Sequence, residues 1–473
     1  MGRRRTDPLV VALAVVVAGC GGGDDASTDA AAEDNAVESS FDETAADADA
    51  DAGAGADTEA DAGDAGDVWD PPLPPTENLA RDILHVDLRI DQAALAGTAA
   101  ILVAPSSTPG VSFEAGGLTV RSVTGPAGPL EFAVVDGRLD VGFPAAVEAT
   151  LVVEYDFLYQ RDFEGLSRRG QVVTWPDHCG NVFPCHSHPA EGQTFTLEVV
   201  GVPAGETAVY PPEIPADAPA YQLSWATGQF IYQEVGTTTA GTRIVVWTVA
   251  GREAAAAEGM ADVPAVFDWY ERTLGPYPFG DVAGAVAVSW PPTAYGGIEH
   301  HPYWHVTRGA VGDRLVHVHE AAHGWFGDGV RIERWEDLVL SEGTVCYLAA
   351  RALGQAVDAG AEAEVWADYE AELAAIVASS DRVAWPDTLT DPAELEAFLF
   401  SRAPYIKGAL FYRAVAGEIG AAELDRVLAA FFATYVGRAA GMQDLLDLLA
   451  AETGFDPTAL ADAWLRRLGS PAP

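Results

Sequence analysis

The chain has 473 residues, 49% of them hydrophobic, which is enough apolar material for two or three domains with cores of their own and excludes a single small module. With 71 Asp plus Glu against 26 Lys plus Arg the formal net charge is −45 at pH 7, and the chain has no basic stripe, so nucleic acid, whose phosphates would be repelled, is excluded as a partner.

The first element in chain order is a leader. Arg3, Arg4 and Arg5 precede an apolar run from Leu9 to Ala18 that is too short to span a bilayer and ends at Gly19-Cys20, so residues 1–20 read as a signal peptide for export. Val17-Ala18-Gly19-Cys20 is similar to the lipobox of bacterial lipoproteins. That resemblance implies lipidation of Cys20 and a protein anchored to a bacterial membrane, in the periplasm or at the cell surface. From Asp24 to Asp70 come 17 acidic residues among Ala and Gly with no Lys or Arg, leaving 54 acidic residues elsewhere. Such a stretch cannot bury enough apolar surface to order itself, and residues 21–78 are expected to be a disordered acidic tether.

From Leu79 to about Ala250 short alternating runs such as "ILHVDLRI", "GRLDVGF", "ATLVVEYDF" and "QTFTLEVV" are separated by Gly and Pro turns, which predicts an all-β domain over 79–252. From Glu253 the period changes to amphipathic, Ala-rich stretches, "AAAAEGMADVPAVFDWYERTL", "DRLVHVHEAAHGWFGD", "EGTVCYLAARALG" and "KGALFYRAVAGEIG". The half from 253 to 473 is therefore mostly helical, and the fold class is α+β, multidomain.

Within the helical half, "HVHEAAHGWF" (317–326) places His319 and His323 four residues apart on one helical face, where both imidazoles can reach one ion with Glu320 beside it. A catalytic zinc takes three protein ligands and keeps a fourth position open. Glu342, 19 residues after His323 in "WEDLVLSEGTVCYLAA", is the candidate third ligand. His-Glu-x-x-His followed by Glu at this distance is the gluzincin spacing and far more specific than the five-residue motif alone.

Three stretches together resemble the membrane alanyl aminopeptidase (aminopeptidase N) family of gluzincin metallopeptidases, which includes the leukotriene epoxide hydrolase. "HEAAHGWFGDGVRIERWEDLVLSEGT" is similar to its zinc block, "YGGIEHH" to its G-x-M-E-N exopeptidase motif, and "PYIKGALFY" to its Y-E-K-G segment. "VFPCHSHPAEGQTFTLEV", "ILHVDLRIDQAALAGTAAI" and "RTLGPYPF" extend the likeness across residues 79–473. The resemblance implies a saddle-like N-terminal β domain followed by a thermolysin-like catalytic domain with one Zn2+ per chain, bound by His319, His323 and Glu342. It further implies that Glu320 is the general base, Tyr405 a hydroxyl donor to the oxyanion, and Glu299 the partner of a substrate's free α-amine. Gly296 and Gly297 would admit an extended peptide, His300 would line the same subsite, and Asp337 is the expected acceptor for a ligand imidazole's outer N–H.

The chain departs from the family in several places. His300 stands where Asn is usual, Ser187-His188-Pro189 replaces Asp-Glu-Pro, and "VTWPDHC" offers no Gln or Glu for a second amine contact, Trp175 lying near that place. Ser341 replaces the Asn before the zinc Glu. The chain ends at Pro473 without the large helical domain of many relatives, which leads us to expect a cleft open on that side. Of the four Cys, Cys20 goes to the lipid and Cys346 is expected as a buried thiol. Cys179 and Cys185 could be disulfide-bonded or packed thiols, and with His178, His186 and His188 nearby they could hold a second metal. The expected function is a zinc aminopeptidase acting on peptides with a free N-terminus. Two alternatives remain open: a zinc hydrolase of other specificity, endopeptidase or epoxide hydrolase, and a catalytically idle surface-binding lipoprotein.

Overall fold

A computed structural model describes residues 73–290, 296–379 and 382–471. The leader, with Cys20, and the acidic stretch through residue 72 lie outside the described residues. Residues 73–78, expected as the end of the tether, instead pack against residues 106–112. Asn78 is buried there, its Nδ2 donating to Ser106 Oγ (3.2 Å) and to the carbonyls of Thr108 and Gly110 (both 3.3 Å).

The first sheet has seven strands, β1 (Ile83–Asp91), β2 (Ala96–Val103), β3 (Thr119–Gly125), β4 (Gly128–Pro129), β5 (Ala149–Asp156), β6 (Gln193–Val200) and β7 (Glu213–Ala218), in the order β7-β6-β1-β2-β5-β3-β4. The alternation read from the sequence is its cause. Val86, Leu88 and Ile90 of β1 and Leu151, Val153 and Tyr155 of β5 point inward and are fully buried, while the intervening polar residues face out. Cys179 and Cys185 form a disulfide, which removes both thiolates from any metal site.

A second sheet lies under the functional residues. Its strands are β8 (Ile231–Thr237), β9 (Arg243–Thr248), β10 (Val282–Val288), β11 (Gly297–Ile298) and β12 (Tyr303–Thr307), in the order β8-β9-β10-β12-β11. β10 runs parallel to both neighbours and is buried on both faces, so its sequence "VAGAVAV" is continuously small and apolar rather than alternating. At Gly284 a Cβ would lie 1.9 Å from the carbonyl oxygen of Val245, so only glycine fits that close pairing. β8 and β9 precede residue 252 and the other three strands follow it, so hydrogen-bonded sheet crosses the expected division.

The helices among the described residues are α1 (Glu253–Gly259), α2 (Val263–Leu274), α3 (Arg314–Ala322), α4 (Thr344–Ala356), α5 (Ala359–Ser379), α6 (Pro392–Leu399), α7 (Ala403–Ile419), α8 (Ala421–Tyr435), α9 (Met442–Thr453) and α10 (Thr458–Trp464). The sheet-rich and helix-rich halves form one compact unit.

Candidate active site

Asp313 starts α3 as an N-cap, its carboxylate accepting from the N–H groups of Leu315 (2.9 Å) and Val316 (3.4 Å). One turn and a half later His319 and His323 project from the same face, with their Nε2 atoms 3.2 Å apart. Glu342 comes from a single π-helical turn, Val339–Gly343, that runs straight into α4. Its Oε2 stands 3.2 Å from His319 Nε2 and 3.5 Å from His323 Nε2. The wider turn is possible because Gly343 packs face to face with Gly408 of α7; a Cβ on either would come within 2.7 Å of the other's Cα. The same contact draws the first turn of α7 to the site. There the ring of Tyr405 lies nearly parallel to His319, with centroids 6.2 Å apart and a 14° interplanar angle. The Arg402 guanidinium covers the Tyr405 ring at 4.4 Å and is itself clamped by Glu372 of α5 at 2.6 and 3.2 Å.

Glu299 and Glu320 complete the cluster, both buried, with a carboxylate oxygen of each and a His323 nitrogen mutually within 4.8 Å. Gly297 is pressed against the base: a Cβ there would meet Glu320 Oε1 at 2.5 Å. The absent side chain therefore makes room for Glu320 rather than only for an approaching peptide. Gly296 similarly faces Val316 of α3. Tyr221 lies beside the Glu299 carboxyl.

Four buried carboxylates, Glu299, Glu320, Asp328 and Glu342, thus surround two imidazoles. Burial raises Glu320 and Asp328 well above the usual carboxylate range, and burial together with the Glu342 charge raises Glu299 against the pull of His323. Burial alone would lower His323, yet the fields of Glu342, Glu299 and Glu320 lift it to about 10. A pocket with this excess of negative charge is stabilised by a cation. The donors fit one: two imidazole nitrogens face each other, and Glu342 Oε2 is buried with no hydrogen bond of its own. His323 Nδ1 donates to the Phe326 carbonyl at 3.0 Å, which leaves the Nε2 lone pair aimed into the cluster, while His319 Nδ1 lies 3.6 Å from Cys346 Sγ. These distances match what a zinc with a His-His-Glu set requires. Cys346 is the buried thiol expected, pushed up to about 12 by burial.

Two expected members stand elsewhere. Asp337 touches neither ligand histidine; its Oδ1 accepts from Trp385 Nε1 (2.9 Å) and from the N–H of Met442 (3.1 Å), so it caps the start of α9. Carbonyl and thiol groups beside the histidines take the role assigned to it. His300 is buried edge-on against His305, with ring centroids 4.7 Å apart and no hydrogen bond at either nitrogen. Successive residues leaving an edge strand face opposite ways, so Glu299 enters the cluster and His300 turns from it. Burial pushes His300 well below the usual imidazole range, so it stays neutral near pH 7. Sequence reasoning missed Tyr221, Asp328, His301 and Arg402, of which only Asp328, next to the zinc motif in "HGWFGD", carried a local signal. Trp175 lies in an aromatic group, edge-on to Trp335 (6.0 Å) and Phe400 (5.4 Å), and Trp335 in turn tilts on Tyr221 (6.0 Å) beside Glu299.

A β sheet under an active-site helix with His-Glu-x-x-His, joined by a downstream Glu, defines a thermolysin-like zinc peptidase centre. Residues 312–464 match the Peptidase family M1 domain, which supports the resemblance to the aminopeptidase N family. Aminopeptidase M1-B of Oryza sativa subsp. japonica is 26% identical over 378 residues, covering 72% of this chain and 42% of the relative. Probable aminopeptidase 2 of Sulfurisphaera tokodaii is 24% identical over 376 residues, covering 71% and 46%. The chain thus spans less than half the length of these curated relatives. Among solved structures, the M1 zinc metallopeptidase of Deinococcus radiodurans superposes with a TM-score of 0.69 at 21% identity, covering 83% of this chain and 95% of that one. Yeast LTA4 hydrolase in complex with bestatin gives a TM-score of 0.71 at 19% identity, with 86% and 72% coverage. These likenesses establish the fold, a sheet-rich part followed by a helical one.

Proposed function

We propose that the protein is a zinc aminopeptidase that removes N-terminal residues from peptides. The observation that carries this reading is the position of Glu299, a buried carboxylate within 4.8 Å of Glu320 and His323. An acid held there neutralises a substrate ammonium only when the bond at the catalytic centre is the first in the chain. The names of the relatives agree, and a structure of the D. radiodurans enzyme holds a Tyr-Ser-Ala substrate.

His319, His323 and Glu342 would hold the zinc, which supplies Lewis acidity, polarising a carbonyl and lowering the pKa of water. Glu320, adjacent to a ligand but aimed past it, accepts the proton of the attacking water and passes it to the leaving amine. Tyr405 donates its hydroxyl to the oxygen that gains charge. Glu299, beside Tyr221, binds the α-ammonium, and the edge of β11 offers backbone groups to an extended peptide.

The test compares free and N-acetylated forms of one dipeptide amide with wild type and with Glu299→Ala. Acetylation and the substitution should each cost about 2 kcal/mol or more in kcat/KM, and the two losses should not add, because both remove one interaction. Equal cleavage of free and acetylated substrate by the wild type would leave an endopeptidase as the better reading.

The rest of the proposal concerns placement. Export through residues 1–20, anchoring by a lipid on Cys20 and an acidic tether leading to the folded part are supported by the Arg cluster, the short apolar run and the lipobox-like Val17-Ala18-Gly19-Cys20. We propose a functional boundary between an N-terminal β domain and a catalytic domain, nearer β8 than residue 252, since β8 and β9 belong to the sheet beneath the site.

A further inference from the structure

The segment Gly297–His301 grips residue 320 at two points. The Glu320 side chain rests on Gly297, and its main-chain carbonyl lies 2.8 Å from His301 Nε2. The second contact answers a need of the helix. α3 ends at Ala322, and the Gly324 N–H that would bond to the Glu320 carbonyl in a continuing helix turns to Ala321 O instead, at 3.3 Å. A helix's last carbonyls require donors from elsewhere, and the carbonyl of the proposed general base is one of them.

Resting on the aminopeptidase reading for its catalytic meaning, we propose that His301 is a positioning residue that caps α3 at Glu320 and thereby locks the general base and the amine-binding Glu299 into one register. The carbonyl accepts, so Nε2 carries the proton, and Nδ1 is left to accept from the Tyr277 hydroxyl at 2.7 Å. Tyr277 is wedged among Phe267, Phe279 and Trp325, so both ring nitrogens have fixed partners, and Gln222 Nε2 holds the His301 main-chain carbonyl at 3.0 Å. Burial pushes its pKa down to about 3, which keeps that single neutral tautomer in place through the working pH range. Glu299 lies two residues before His301, and the His301 N–H donates to its carbonyl at 2.6 Å, so the cap fixes both acids through one turn of chain.

The experiment uses zinc-loaded, full-length protein carrying His301→Leu, His301→Gln or His301→Asn. Gln places an amide N–H where Nε2 stands and keeps the cap; Asn places it at Nδ1, short of the carbonyl, and loses it. Leu and Asn should retain zinc but lose about 10- to 100-fold in kcat on an aminoacyl amide, while Gln stays within about threefold of wild type. Amide hydrogen exchange over residues 320–330 should quicken in Leu and Asn and not in Gln, a readout independent of turnover. Leu or Asn protein that is folded, zinc-loaded, unchanged in exchange and within about twofold of wild-type kcat would overturn the proposal, as would Gln no better than Leu. If Leu does not fold, Asn against Gln carries the same decision. A wild type inactive on every aminoacyl amide would sink the aminopeptidase reading, and the exchange data would still decide whether His301 holds the helix end.

Discussion

Glu320 stands next to a metal ligand in sequence yet points beside it, because residues one apart on a helix differ by about 100° in direction. Glu320→Gln should therefore leave zinc content at wild type and lower kcat by about 10²- to 10⁴-fold, since an amide cannot take the proton of water. Glu342→Ala should instead lose the metal, and full zinc with full activity in that variant would mean a different third ligand. A second prediction concerns His305, fully buried and pushed down to about 3 by burial from an ordinary 6.5. The folded value lies below the unfolded one, so folding favours the neutral ring. Its contribution is whole above pH 6.5 and is lost as pH falls toward 3. Between about pH 6 and 4 the stability of the wild type should therefore fall more steeply than that of His305→Leu, by about 1.4 kcal/mol per pH unit. Urea titrations at stepped pH measure this, and parallel curves would refute it. His319, His323, Glu342 and Glu320 were legible because they sit in a pattern whose spacing is its chemistry, and Tyr405 and Glu299 because their short stretches resemble family motifs. His301, Tyr221 and Arg402 were not, because their partners are distant in sequence and no period or spacing marks them.

At the scale of elements, the meeting of the Glu342 turn with α7 depends on two glycines that lack side chains for steric reasons. Gly408→Ala would set a Cβ 2.6 Å from the Gly343 Cα, with Val339 Cγ2 at 2.8 Å, so backbone has to move. The expected cost is about 1–3 kcal/mol of stability. Because α7 carries Tyr405 onto His319, kcat should also fall in the protein that remains folded and zinc-loaded. A lower melting temperature with wild-type kcat would show that α7 is packed against the site without aligning it. The helices of this half were readable from their amphipathic period, but β10 was not assigned. Its "VAGAVAV" is apolar without alternation, a pattern that periodicity cannot separate from a buried helix. Its parallel pairing with β9 and β12 makes it a strand, a long-range fact. The same distance effect hid the membership of β8 and β9. They look like two more strands of an all-β half until the parallel bond to β10 joins them to the catalytic sheet.

For the whole molecule the question is what would tie so acidic a chain to a membrane. With a net charge of −45 and no Lys or Arg between Asp24 and Asp70, electrostatic attraction to anionic headgroups is ruled out, since the surface potential of such a leaflet repels the chain. No helix of the described residues is long and apolar enough to cross a bilayer. If the proposed anchoring is right, the membrane affinity must therefore come from acyl chains on one sulfur, each buried methylene contributing about 0.8 kcal/mol and two or more chains being needed for stable attachment. Wild-type protein should then incorporate labelled palmitate, enter the detergent phase on partitioning and stay with membranes in molar salt, because apolar burial is not screened as charge pairing is. Cys20→Ala should lose the label altogether, and a version beginning at residue 73 behind an ordinary secretory leader should be water-soluble with kcat/KM unchanged, since no residue of the site precedes β1. Two results would sink the idea: a wild-type mature chain that begins after residue 20 and carries no lipid, or release of the labelled-membrane fraction by salt alone.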